Sequence, residues 1–197
     1  RVIPAFAAGL DARPAVKAFF MDRGEPIVDA VVSLTGFSLV GGPAYNDTDA
    51  AQEMLEALDV PYLAVQRLEF QSLQDWESSS MGLMPVEATM MVAIPELDGA
   101  TGSMVFGGRS ELSAGEKFDM KPAPERIDRL ADRVARLIAL RYTPIAERKV
   151  AIVLFNFPPN SGAAGTAAHL SVFESLFNTL SAMRDEGYKV DLPDSHG

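Results

Sequence analysis

The sequence predicts an α/β fold, with an open, mainly parallel sheet that carries helices on both faces in a Rossmann-like arrangement. Two observations lead to this prediction. Short runs rich in Val, Ile and Ala lack apolar–polar alternation, as is typical of strands covered on both faces. Segments with apolar residues at helical spacing, joined by turn-sized loops, separate these runs. Open α/β sheets bind ligands beyond the carboxyl ends of their strands, so we expect functional loops there.

The first predicted unit is strand, helix, strand. Residues 1–7 (RVIPAFA) and 27–37 (IVDAVVSLTGF) have the composition of buried strands. Between them, residues 13–24 carry apolar side chains at helical spacing and close with a glycine, which is a common helix stop.

The second unit repeats this order. Asp49, three residues before Gln52, resembles a capping box at the start of a helix. An apolar stripe follows at helical spacing, formed by Ala50, Met54, Leu55 and Leu58. Residues 60–68 (VPYLAVQRL) supply a third strand.

A long irregular segment is predicted near residues 71–109, where Gly, Ser and Pro are mixed with isolated apolar residues. Long connections of this kind are usually functional or mobile. Within it, residues 88–99 (ATMMVAIPELDG) predict a short strand that ends at Pro95, followed by a turn carrying Glu96 and Asp98.

The clearest helix covers residues 124–140, with a proline in its first turn. Its apolar face, which we expect to lie against a sheet, consists of Ile127, Leu130, Ala131, Val134, Leu137 and Ile138. Residues 149–157 (KVAIVLFNF) predict a further strand, a helix follows, and residues 188–193 (YKVDLP) predict another strand.

We therefore predict an α/β domain over residues 1–145 that contains the irregular insertion. Residues 146–197 form a further strand–helix–strand unit, which either completes the first sheet or starts a second α/β domain. The chain starts at Arg1 directly with a strand-like run, so we expect an internal piece of a longer protein.

Composition excludes several classes of partner. The 27 acidic and 17 basic residues give a net charge of −10, which repels nucleic acid. No apolar run reaches the roughly 18 residues that span a bilayer, so we expect no membrane insertion. Cysteine is absent, which excludes disulfides and thiolate sites and fits a reducing compartment such as the cytoplasm.

A strand–turn–helix joint at residues 151–169 is a candidate anion site. Backbone N–H groups of Gly165 and Thr166, at a helix start, would attract carboxylates or phosphates. His169 in the first turn is a candidate ligand or proton carrier. The alternatives are a tight joint that only packs and a histidine on the helix surface or in the core. The spacing matches neither a Walker loop nor GxGxxG.

Three carboxylates in the irregular segment are candidates for metal or proton chemistry: Glu87, Glu96 and Asp98. Hard ions such as Mg²⁺ prefer oxygen ligands, and carboxylates also accept protons that a metal displaces from nitrogen. In a chain with 27 acidic residues, they are alternatively ordinary surface or structural carboxylates.

The same segment concentrates soft apolar side chains that would suit a flat apolar ligand. Trp76, Met84 and Met90 are the candidates for this contact, accompanied by Met81, Met91 and Met104. The alternative is that these residues fill the core.

Several long blocks carry a resemblance to a known family: VDAVVSLTGFSLVGGPA, LDVPYLAVQ, MGLMPVEATMMVAIPELDGATG, VFGGR, KVAIVLFNFPPNSGAAGTAAHLSVFESLFNTL and EGYKVDLP. Their sequence and order resemble the large, porphyrin-binding H subunits of magnesium chelatase over essentially the whole chain. The related large subunits of cobaltochelatase, which serve cobalamin biosynthesis, share the PELDG type of turn. They typically lack the FPPNSGAAGTAA form of the joint, so we place them second.

The resemblance implies an enzyme that forms nitrogen–metal bonds. It inserts Mg²⁺ into protoporphyrin IX in (bacterio)chlorophyll biosynthesis, in the cytoplasm or the plastid stroma. It implies partners as well: the rest of the large subunit, a AAA+ ATPase subunit that uses ATP, and a bridging subunit. The family's HxxGTHGxxE-like segment is absent from these residues, so we expect the isolated chain to be inactive.

On this basis the irregular loops would line part of a porphyrin cavity, with Trp76, Met84 and Met90 against the macrocycle. The backbone donors of Gly165 and Thr166 would bind its propionates, and His169 is a further candidate porphyrin-binding residue. Two alternatives stay open: a structural module that docks other domains, and an unrelated nucleotide-binding α/β domain. The missing phosphate-loop spacing argues against the second.

Overall fold

The chain is described by a computed structural model over residues 1–42, 44–110, 119–155 and 171–193. It divides into two units, Arg1–Ile138 and Ala139–Gly197. The first unit contains all of the sheet described below and the carboxylates selected from the sequence. The boundary predicted at residue 145 stays a prediction.

A four-stranded, mainly parallel sheet lies at the centre of the first unit. Its strands are β3 (Val31–Ser33), β6 (Tyr62–Ser72), β7 (Met104–Arg109) and β8 (Met120–Pro122), in the order β3–β6–β7–β8. Strands β3, β6 and β7 are parallel, and β8 pairs with β7 in the antiparallel sense. The predicted α/β class with a mainly parallel sheet is confirmed. Strand β6 is buried over its first five residues; the apolar run of the first four predicts this burial, and the fifth is Gln66.

Two small hairpins and two helices precede β6. The hairpins are β1 (Met21–Asp22) with β2 (Glu25–Pro26), and β4 (Gly41–Gly42) with β5 (Tyr45–Asn46). Helix α1 covers Arg13–Phe19 and helix α2 covers Thr48–Leu58.

The start of α2 differs from its predicted cap. Asp47, and not Asp49, is the N-cap: its carboxylate accepts the Ala50 N–H at 3.0 Å. Asp49 lies in the first turn, where a carboxylate also stabilises the helix. The buried side of α2 is formed by Ala51, Met54 and Leu58, so two residues of the predicted stripe are confirmed as core.

The segment at residues 71–109 is built mainly of short helices joined by turns. They are α3 (Leu73–Ser78), α4 (Pro85–Ala88), a π-helical turn (Thr89–Ala93) and α5 (Ile94–Leu97). The strand predicted before Pro95 is therefore wrong. A short apolar run fits a buried helix as well as a strand, and here burial recurs every three or four residues.

Two long helices occur where the sequence predicts them. Helix α6 covers Pro124–Tyr142 and α7 covers Val172–Asp185. Helix α6 has no fully buried side chain, although four of its apolar residues are half-buried. Among the helices of the described ranges, none is long and apolar enough to cross a membrane.

Three predicted strands are not found. Residues 1–7 form no strand, and Val2 and Phe6 are exposed, because no neighbouring strand covers them within the described residues. The described residues 149–155 and 188–193 also form no strand. Composition alone identifies an extended apolar segment but not the partner that a sheet requires.

Candidate functional site

One face of the helical segment between β6 and β7 is buried along its length. Its members recur at helical spacing from Glu87 at 0% exposure to Asp98 at 2%. We call this set the crossover stripe; it consists of Glu87, Met91, Pro95 and Asp98. Two ionisable groups thus lie at the two ends of an otherwise apolar stripe.

The crossover stripe runs along β6 in the direction opposite to that strand. Near the carboxyl end of β6, Gln71 donates a hydrogen bond to Glu87. In the middle of the strand, Gln66 donates one to the carbonyl of Met91. Because the stripe follows the strand so closely, Glu87 is placed at the edge where parallel α/β sheets bind ligands.

Glu87 is only partly satisfied. Its Oε2 atom accepts hydrogen bonds from Gln71 Nε2 and from the Met84 N–H, the second at 3.0 Å. Its Oε1 atom is buried and has no hydrogen-bond partner within the described residues. A buried carboxylate oxygen without a partner is costly, and it is available to a donor or a proton brought by a ligand.

Asp98 acts as an anchor for the loop that follows β3. Its Oδ2 accepts from Ser38 Oγ and, at 3.2 Å, from the Leu39 N–H, while Asn46 Nδ2 lies 3.4 Å from Oδ1. Asp98 thus fixes the loop that follows β3 from the end of the crossover stripe that is opposite to Glu87.

The three predicted carboxylates have different surroundings. Glu96 is exposed and makes no ion pair with the described residues, whereas Glu87 and Asp98 are buried with separate partners. Within the described ranges, no group of three His, Cys, Asp or Glu side chains could hold a metal ion. A metal or proton role for these carboxylates stays a prediction.

Gln66 is a buried polar residue that the sequence analysis did not select. It is 0% exposed; its amide donates to Met91 and, at 2.9 Å, to Ser103 Oγ. Its Oε1 has no partner within the described residues and faces Gly36, where an added Cβ would lie 3.5 Å away. An amide inside an apolar strand run was the signal that could have identified it.

The apolar candidates divide into covered and exposed residues. Trp76 is half-buried against the cluster around Leu68, and the Arg126 guanidinium lies 5.4 Å from its ring centre. Met90 is half-buried, whereas Met84 is 42% exposed and Met81 is 81% exposed. Trp76 therefore packs against the core from its edge, and the two exposed methionines are accessible. Gly165, Thr166 and His169 lie outside the described residues.

Tyr62, at the start of β6, makes stability sensitive to alkali. Burial raises the pKa of its phenol to about 12; the Ser33 hydroxyl opposes this shift and the Asp98 carboxylate adds to it. Because the folded pKa exceeds the unfolded value of about 10, this group's contribution is intact below pH 10 and is lost as pH rises towards 12.

We expect Tyr62→Phe to retain more stability than the parent chain between pH 10 and pH 12, by an amount on the order of 2 kcal/mol at the upper end. Urea unfolding of both proteins at pH 8, 10, 11 and 12 measures the difference. Parallel pH curves would contradict the assignment, since all other titrating groups are common to the two chains.

Known proteins resemble the chain over its full length. A family model described as CobN/Magnesium Chelatase matches residues 1–197. The magnesium-chelatase H subunit of Cereibacter sphaeroides is 55% identical over 208 residues, covering 98% of this chain and 17% of that protein. The chloroplastic magnesium-chelatase protein ChlH of Oryza sativa subsp. indica is 42% identical, covering 99% of this chain and 14% of that protein.

A relative from the cobaltochelatase branch is more distant. The aerobic cobaltochelatase protein CobN of Pseudomonas aeruginosa is 36% identical over 167 residues, covering 82% of this chain and 13% of that protein. The chain thus spans between 13% and 17% of the length of these relatives.

Proposed function

The chain belongs to the CobN/magnesium chelatase family, and from this membership we propose that it is a segment of a magnesium chelatase H subunit. In this proposal the full-length subunit binds protoporphyrin IX and takes part in inserting Mg²⁺ during (bacterio)chlorophyll biosynthesis. Both the porphyrin and the metal are substrates. The identity to H subunits, 55% and 42%, exceeds the 36% identity to the cobaltochelatase subunit, which favours magnesium over cobalt.

The proposal extends to partners and location. A AAA+ ATPase subunit and a bridging subunit would supply ATP-driven work, and the complex would form nitrogen–metal bonds in the cytoplasm or the plastid stroma. This segment alone would be inactive. Its own part is to form one wall of the porphyrin cavity.

One observation carries this assignment: exposed apolar side chains adjoin a buried, partly unsatisfied carboxylate at the carboxyl end of β6. Met81, Met84 and Val86 are 81%, 42% and 40% exposed. The hydrogen bonds from Gln71 to Gly82 (3.3 Å) and Glu87 hold their segment at this end of the strand. An apolar wall with a few polar groups is the usual composition of a pocket for a flat organic ligand.

Each side chain then has a chemical task. The two methionines and Val86 would contact the face of the macrocycle, which a soft apolar surface suits. The Oε1 atom of Glu87 would accept a pyrrole proton that leaves the macrocycle as Mg²⁺ enters. Asp98 would keep the loop after β3 in place, and Glu96 would approach the metal from solvent.

The remaining predicted contacts belong to the same proposal. Met90 would extend the apolar wall, Trp76 would support it from behind, and the residues of the joint, Gly165, Thr166 and His169, would lie near the propionates. A purely structural role for the segment is the second candidate, because Glu87 and Asp98 both make hydrogen bonds that fix local geometry.

Met84→Glu in the full-length protein tests the apolar wall. A charge facing the macrocycle must be desolvated when porphyrin binds, so we expect the Kd for deuteroporphyrin IX to rise about tenfold. Titration of the porphyrin absorbance measures this change.

Ile27→Glu is the matched control, since Ile27 is 53% exposed and precedes the amino end of β3. This variant should bind porphyrin as the parent does. A structural role alone predicts the same Kd for both variants, and that result would overturn the proposal.

A further inference from the structure

A cleft of about 490 Å³ lies between helix α1, the turn that joins β1 and β2, and helix α2. It is separate from the crossover stripe and shares no residue with it. Three of its lining residues are cations in a chain whose net charge is −10: Arg13, Lys17 and Arg23. We call it the basic cleft.

Two of the three cations of the basic cleft form no ion pair with the described residues, and the third, Arg13, is paired with Asp11. Lys17 and Arg23 are exposed and form no ion pair with the described residues. Arg13 is held by Asp11, which accepts from its Nε at 2.9 Å and from its Nη2 at 2.7 Å. A guanidinium has five N–H donors, so this pairing orients Arg13 and leaves donors for a ligand.

The floor of the basic cleft is apolar. Met54 is buried in the core cluster, and Met21 is half-buried against the same cluster. Glu53 is the single carboxylate among the lining residues. A volume of a few hundred Å³, an apolar floor and a few charged groups at the rim are the features of a small-molecule site.

The position of Arg23 adds a second indication. Arg23 and Gly24 are the two central residues of the β1–β2 hairpin, and both have positive φ, at 51° and 90°. Gly, Asn and Asp are favoured there, and a long side chain at positive φ is uncommon. A residue kept against its backbone preference often has a functional reason. Here the arginine supplies a cation to the rim of the cleft.

We propose that the basic cleft binds an amphipathic organic anion, with an apolar body on the Met21–Met54 floor and a carboxylate between Lys17 and Arg23. Arg13 reinforces the positive field at the rim. Glu53 opposes it and limits affinity. This site is independent of the porphyrin wall proposed above.

Calorimetric titration of the full-length protein with 2-naphthoate tests the proposal. We expect saturable binding that weakens with added salt, and at least about fivefold weaker binding of the uncharged 2-naphthalenemethanol, as for one charge-assisted contact at a partly exposed site. Inorganic phosphate, which lacks an apolar body, should bind more weakly than 2-naphthoate.

Three variants make the test directional. Lys17→Gln and Arg23→Asn should each weaken 2-naphthoate binding about threefold to tenfold, and Glu53→Gln should strengthen it by a similar factor. Arg23→Asn should keep or raise the thermal midpoint, because asparagine tolerates positive φ better. Lys121→Gln, which removes an exposed cation on β8, should leave binding unchanged.

Specific outcomes would overturn the proposal. They are absence of saturable 2-naphthoate binding, equal affinity for the acid and the alcohol, tighter binding of phosphate than of 2-naphthoate, and failure of Glu53→Gln to strengthen binding. A lower thermal midpoint for Arg23→Asn would also contradict it, since Arg23 would then be a structural contact.

Discussion

Replacing Asp98 with alanine is expected to lower the free energy of unfolding of the Arg1–Ile138 unit by about 2–4 kcal/mol. The carboxylate is 2% exposed and accepts hydrogen bonds from Ser38 and Leu39. Removing it leaves the buried Leu39 N–H without its acceptor and leaves Ser38 Oγ with only the Val40 carbonyl, 3.4 Å away; a buried donor without a partner costs about 1–3 kcal/mol. Urea unfolding of the 197-residue chain measures the change.

Glu96→Ala is the matched control for this prediction. Glu96 lies two residues away, is exposed, and makes no ion pair with the described residues. It should change stability by no more than about 0.5 kcal/mol. Equal effects of the two substitutions would mean that Asp98 does not anchor the loop after β3.

Gly108→Ala is expected to lower the free energy of unfolding by about 2–4 kcal/mol, as much as Asp98→Ala, because it forces two strands of the central sheet apart. A Cβ at Gly108 would lie 2.6 Å from the Leu68 Cβ and 3.0 Å from the Leu68 backbone N and O atoms. Backbone atoms of a buried parallel strand cannot move away cheaply, and overpacking typically costs about 1–3 kcal/mol before pairing is lost. The denaturant midpoint of the variant measures the effect.

Gly82→Ala is the comparison for Gly108. Gly82 has a φ of +72° but open space where a Cβ would be. Gly82→Ala should lower the free energy of unfolding by only about 1–2 kcal/mol, which is the cost of placing a residue with a Cβ at positive φ. If Gly108→Ala cost less than Gly82→Ala, the close approach of β7 to β6 would be refuted.

The close approach of β7 to its neighbours also explains the paired glycines of the VFGGR block. In VFGGR, Gly107 faces the backbone of Lys121 on β8, where a Cβ would lie 2.6 Å from the carbonyl oxygen, and Gly108 faces Leu68 on β6. The two glycines of β7 thus allow β8 on one side and β6 on the other to approach the strand closely.

Long periodic elements could be predicted from the sequence. Helices α2, α6 and α7 have enough residues for their period to be unambiguous, and β6 is marked by an apolar run, so the existence of all four was clear even where their ends shifted. Asp47 and Asp49 are both aspartates, so residue type alone does not decide which of them is the N-cap of α2. Only the path of the chain into α2 decides that Asp47 accepts the Ala50 N–H.

The short elements could not be predicted in the same way. The run before Pro95 is almost entirely apolar and short, so its sequence fits a strand as well as the helical turns that it forms. The partners of Asp98 are 59 and 60 residues away in sequence, so no local pattern reveals them. The side-chain oxygens of Gln66 and Glu87 that have no hydrogen-bond partner among the described residues likewise follow from packing alone.

We propose that the carboxyl end of β6 forms one wall of a porphyrin cavity, with Met84 and Val86 against the macrocycle. The most direct measurement is a structure of the full-length protein with deuteroporphyrin IX bound. We expect the macrocycle within van der Waals contact of both side chains, with the Glu87 carboxylate facing its centre. Porphyrin bound elsewhere, with Met84 and Val86 covered by another part of the protein, would contradict the account.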